Sequence, residues 1–204
     1  MPEHFYRPAE GHRLPHDPFN AIVAPRPIGW ISSLSGDGVR NLAPYSFFNA
    51  FNYHPPIVGF ASNGYKHSVA NLAENGEFTW NLVTRAQAEA MNTTSASVSA
   101  AVDEFELAGL QGLPSTEVAP DRVAGAPVSF ECKVTQVIRL TTHTRAPVDC
   151  WLTLGEVVGV HIDTELLDDG VYQTARARPV VRGGGPTAYF EISEDQRFDL
   201  TRPG

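Results

Sequence analysis

Almost every apolar segment of this chain is short and closed by a turn signal, which leaves little room for long helices. Residues 28–34 (IGWISSL) end at Ser35-Gly36-Asp37-Gly38, an Asp-Gly turn that predicts a hairpin. Residues 39–48 return, and residues 57–61 follow Pro55-Pro56 as a third, buried strand. Val69, Leu72 and Ala73 fall at i, i+3 and i+4, so a helix is expected there, stopped by Gly76. Residues 78–83 read as strand again. Thr84-Arg85-Ala86-Gln87 has the form of a capping box opening a second helix through Ala90 and Met91, and residues 98–107 add a further helical turn. Past a Gly/Pro-rich stretch, two long strands are expected, at residues 128–140 and 151–162. Strand dominates, and the β-α alternation of a doubly wound sheet is missing. The expected architecture is mainly β: an antiparallel barrel with short helices packed at its ends.

Charge and composition exclude several functions. Fifteen Lys+Arg against 23 Asp+Glu leave a formal charge of −8, which opposes a phosphate-backbone footprint, so no nucleic-acid partner is expected. No run approaches the roughly 18 apolar residues of a membrane span. Cys132 and Cys150 lack ligand spacing and read as free thiols. Met1-Pro2-Glu3-His4-Phe5 has no basic region leading into an apolar one, so a cytoplasmic location is expected. No repeat or linker divides the chain. We read residues 1–20 as a proline-rich arm, 21–192 as one domain and 193–204 as a tail.

Motifs for phosphate loops, nucleophile elbows and zinc helices are absent. His12 and His16 have ligand spacing, but Pro15 and Pro18 oppose a helix there, and no metal site is assigned. Two segments carry chemistry instead. In Asn41-Leu42-Ala43-Pro44-Tyr45-Ser46, Pro44 removes a ladder donor, which belongs on an edge strand whose free backbone groups can meet a heteroaromatic ligand. An irregular edge without a ligand explains the same residues. In Ser62-Asn63-Gly64-Tyr65-Lys66-His67-Ser68, a polar loop leads into a helix start, and Ser62, Lys66 and Ser68 can hold an anion there. Ordinary capping by Ser68 beside a solvated lysine is the competing reading.

The run Pro25-Arg26-Pro27-Ile28-Gly29-Trp30-Ile31-Ser32, the segment from Asn41 to Phe48 and Pro55-Pro56 together resemble the flavin reductase-like family with an FMN-binding split barrel. The likeness continues through Lys66-His67-Ser68, Glu77-Phe78-Thr79-Trp80-Asn81, Asp103-Glu104-Phe105, Phe130-Glu131-Cys132-Lys133, Leu154-Gly155-Glu156 and Arg182-Gly183-Gly184. It implies a six-stranded antiparallel Greek-key barrel, usually a homodimer, holding FMN. By that resemblance residues 41–46 line the flavin ring, with Trp30 helping to build its slot; Ser62, Lys66 and Ser68 hold the phosphate. Asn81 reaches the ribityl chain, and His143 lies near the flavin on a weaker match. His67 stands where the family often has Asp. The implied activity takes hydride from NADH or NADPH onto FMN and passes electrons to a free flavin or a partner oxygenase. A flavoredoxin-like carrier without nicotinamide activity is the alternative. The resemblance also accounts for the absence of an acid–base pair, because the chemistry resides in the cofactor.

Overall fold

A computed structural model describes all 204 residues. Seven strands make the main sheet: β1 (Gly29–Leu34), β2 (Arg40–Tyr45), β3 (Phe48–Asn52), β4 (Ile57–Asn63), β5 (Glu77–Asn81), β6 (Val128–Thr141) and β7 (Pro147–Ile162). They are antiparallel and lie in the order β2-β1-β5-β6-β7-β4-β3. The two edge strands are therefore consecutive in the chain, separated only by Ser46 and Phe47. Such a sheet has to curl until its edges meet at that corner. Arg26 Nε donates to the Ser46 carbonyl at 3.0 Å, and the Phe47 carbonyl accepts from the Ala61 N–H of β4 at 2.8 Å. The result is the curled, mainly β fold of a split barrel. The count is seven hydrogen-bonded strands rather than six, because the return strand bends at the corner after Pro44 and becomes β2 and β3.

Curvature comes also from the long β6–β7 hairpin, which is irregular between Leu154 and Gly155 and between Val157 and Gly159. A Cβ at Gly155 would lie 2.3 Å from the Phe78 ring, so only glycine lets that phenyl group bury fully at the bend.

Side-chain alternation divides β1 and β2 between two cores. Ile31 and Tyr45 join the larger one with Phe60, Phe78 and Trp80. Trp30 and Leu42 point to the opposite face, into a smaller core with Met91, Phe105 and Val123. Each such fully buried side chain contributes about 1.5–3 kcal/mol.

Three helices matter here: α1 (His67–Asn75), α2 (Ala88–Thr93) and α3 (Glu104–Leu107). Helix α1 ends at Gly76 in the left-handed conformation (φ 72°), as its sequence predicts. Its buried face differs from the apolar spacing, however. Ala73 is exposed, whereas Ser68 and Asn71 are buried beside Val69 and Leu72. The capping box at Thr84 does not form. Thr84 bridges to Pro179 and caps nothing, Gln87 donates to the Ala124 carbonyl, and a 3-10 turn precedes α2. The 98–107 segment is helical only from Glu104, where Asp103 caps α3. No helix is long and apolar enough to cross a membrane, and both cysteines are free thiols.

Candidate functional site

Helix α1 starts without a side-chain cap. Lys66 precedes it in extended conformation (φ −84°, ψ 174°), and the N–H groups of His67, Ser68 and Val69 have no acceptor in the protein. Ser68, the natural candidate for a local cap, points elsewhere: its hydroxyl donates to Asn41 Oδ1 at 2.7 Å. Free N–H groups and the positive end of the helix dipole thus face outward together. Lys66 is exposed and joins none of the chain's ion pairs.

This helix start opens on a cavity of about 320 Å³, within the range of small-molecule sites. One wall is the edge strand, with Asn41, Ala43, Pro44 and Tyr45; the facing wall is the segment from Thr94 to Val98. Ser97, exposed on this wall, adds a hydroxyl and an N–H. Behind the strand runs a buried polar chain. Asn71 Nδ2 donates to Ser33 Oγ (3.1 Å), Ser33 Oγ donates to Asn41 Oδ1 (3.2 Å), and Asn41 Nδ2 donates to Glu104 Oε1 (3.0 Å). Glu104 Oε2 accepts the Leu42 N–H at 3.2 Å. Glu104 is 4% exposed. Burial pushes its carboxyl pKa up; the Leu42 N–H, the Asn41 amide and nearby His67 pull the other way without cancelling it. Burial likewise raises the Tyr45 phenol, which lies against the hydroxyls of Ser68 and Ser62.

A larger cavity, about 740 Å³, lies between α2 and residues 180–191. Its rim carries charges of both signs, Arg85 and Glu89 among them, and it has no free lysine beside a helix start. The smaller cavity has the more directed chemistry.

Comparison with known proteins places this geometry. Residues 23–180 match the flavin reductase like domain. The chain belongs to the flavin reductase-like family. An uncharacterized protein of Aquifex aeolicus is 36% identical over 171 residues, covering 80% of this chain and 83% of the relative. Among solved structures, nitrilotriacetate monooxygenase component B from Bacillus cereus is similar with a TM-score of 0.88 at 27% identity, over 98% of this chain and 100% of that one. The 2-nitrobenzoate 2-nitroreductase of Pseudomonas fluorescens is similar with a TM-score of 0.79 at 30% identity, over 91% and 88%.

Within this flavin reductase-like chain, the residues expected at the ligand divide into two groups. Asn41, Ala43, Pro44, Tyr45, Lys66 and Ser68 all border the cavity. Trp30, Leu42 and Asn81 do not: their side chains lie on the face opposite Asn41, Ala43 and Tyr45, a face that Pro44 shares while still bordering the cavity from the edge strand. There Trp30 Nε1 donates to Thr94 (3.0 Å), and Asn81 is consumed by Trp30, Thr79, Val123 and Ser129. Ser62 is fully buried and donates to the Gly64 carbonyl at 2.9 Å. Ser46 sits at the corner under Arg26, away from the cavity. His143 is exposed in the β6–β7 turn and does not border the cavity. The expected free edge is also narrower. Leu42 is the outward N–H between Asn41 and Tyr45, since Pro44 has none, and Glu104 takes it. Two parts of the site went unread as site residues, the run Thr94-Ser95-Ala96-Ser97-Val98 and Glu104. The first had a signal in its density of small hydroxyl residues beside a helix end.

Proposed function

We propose that this cavity binds FMN and that the protein is a flavin reductase using NADH or NADPH. The observation that carries the reading is the uncapped start of α1 beside Lys66, opening on a slot walled by an edge strand. The donor set suits the cofactor: three free N–H groups, an unpaired ammonium and the Ser97 hydroxyl for a dianionic phosphate, with Ala43, Pro44 and Tyr45 as a thin, largely apolar wall for a flat ring. When bound, the flavin supplies the redox chemistry, accepting hydride and releasing electrons. The chain's residues then do the rest. Lys66 and the helix start hold the phosphate, β2 presents the ring wall, and the Ser68–Asn41 hydrogen bond locks the two together.

The likeness to a monooxygenase component B supports a partner oxygenase, or a free flavin, as the acceptor. A homodimer is supported by an apolar groove of about 500 Å³ around Ile22, Val23, Phe47 and Phe51, where Ile22 is 70% and Phe51 54% exposed. Sedimentation as a dimer is expected; a monomer at micromolar concentration refutes it.

The function is tested by the visible spectrum of purified protein with FMN, followed by NADH or NADPH addition without air. Binding of FMN and bleaching of the flavin band are expected. Bound flavin that neither nicotinamide reduces turns the assignment to an electron carrier, and absence of flavin binding refutes the site.

A further inference from the structure

We propose that Glu104 is a positioning residue that fixes the ring wall of the cavity and, by its charge, holds down the electron affinity of the flavin bound there. This inference rests on the FMN reading above. Helix α3 delivers the carboxylate from a rigid mount. Asp103 Oδ1 accepts the N–H groups of Phe105 (2.8 Å) and Glu106 (3.3 Å), its Oδ2 pairs with Arg40 at 2.7 Å, and Phe105 is fully buried. The side chain that follows from this mount reaches β2 and grips two successive residues, one by its side-chain amide and one by its backbone.

The grip changes the character of the wall. Leu42 would otherwise present an outward N–H, and Pro44 has none to present. With that N–H bound to Glu104, the strand offers only carbonyl oxygens and a carboxylate on this side. No cation neutralises the carboxylate within ion-pair distance, because Arg40 is engaged by Asp103 and Asp121. Of the titratable groups around it, His67 faces it from α1 and Tyr45 from β2, while Lys66 stands at the exposed rim. A negative charge beside a redox group, at low effective dielectric, disfavours added electrons. The same carboxylate joins the two ends of the cavity, since Asn41 receives Ser68 from the phosphate end and donates to Glu104 at the ring end. Glu104 therefore sets both where the wall stands and what field it exerts.

The test is a spectroelectrochemical titration of FMN-loaded wild type, Glu104→Gln and Glu104→Asp, with the FMN dissociation constant measured in parallel. Glu104→Gln is expected to favour reduced over oxidised FMN about ten-fold, an upward shift of about 30 mV for a two-electron couple. Glu104→Asp keeps the charge and is expected to shift the ratio less than three-fold; it also carries the test if the glutamine variant does not fold. An unchanged potential in folded, flavin-loaded Glu104→Gln overturns the proposal. An aspartate shift as large as the glutamine shift overturns it too, because wall distortion rather than charge would then set the potential. Wild type that binds no FMN overturns the functional reading and this inference with it.

Discussion

Glu104 and Glu131 are both carboxylates with almost no solvent exposure, 4% and 0%, yet their pKa values move in opposite directions. Glu131 on β6 accepts the N–H groups of Thr116, Glu117 and Val118 and meets His161 Nε2 at 2.5 Å. Burial alone would raise its pKa, but His161 and those loop N–H groups outweigh it, and the carboxyl lies below its ordinary range. Glu104 has two donors and no ion-pair partner, and its pKa rises. The number of donors around a buried charge separates the two roles. Glu131 is saturated and closes the loop ahead of β6. Glu104 is under-satisfied and borders a cavity.

The largest effect that would break this contrast is expected at Glu131. Glu131→Ala strands three N–H groups and should cost about 3–5 kcal/mol in urea unfolding, with the FMN affinity of the remaining folded protein within two-fold of wild type. A loss below 1 kcal/mol would remove the structural reading of Glu131. Next in size is Lys66→Ala, expected to weaken FMN binding by about 1.5–3 kcal/mol in a fluorescence titration, the lower end because the ammonium is exposed. An unchanged constant would return Lys66 to the solvent.

The smallest effect is in pH, and its sign differs between the two groups. Glu131, with a depressed folded pKa, contributes stability that is complete above the ordinary carboxylate value and lost as pH falls through its folded one. Glu104, with a raised folded pKa, binds more protons folded than unfolded in the window just above that value, so stability there falls as pH rises. Chemical denaturation from about pH 4.5 upward should show this decline in wild type and not in Glu104→Gln. A matching slope in both proteins would mean Glu104 does not titrate in that window.

Much of this contrast was out of reach of the sequence, for a definable reason. Turn chemistry is local, so the Asp-Gly hairpin and the Gly76 stop were legible, as were the strands and barrel class. Alternation was legible as a pattern but not as a direction. Trp30 and Asn81 were counted toward the ligand by family resemblance, and the fold sets them on the far face from Ala43 and Tyr45. Glu104 meets Asn41 across 63 positions, and Glu131 meets its loop across 13 to 15. Neither pairing leaves a local signature, so one acidic residue looked like the other. The place of Lys66 at a helix start was legible because it depends only on the helix immediately after it. The capping box failed because Thr84 and Gln87 had partners at Pro179 and Ala124 that no short window contains.

The corner at Ser46 and Phe47 has a consequence for solubility. Open sheets risk recruiting further strands from other chains at their edges. Here one edge continues into the other through two residues. Along the side of β2 that pairs with no strand the donor positions are spoilt in turn, Leu42 by a carboxylate and Pro44 by its ring. An intruding strand would find carbonyls but almost no N–H groups to pair with, so the edge that borders the cavity is also guarded against aggregation.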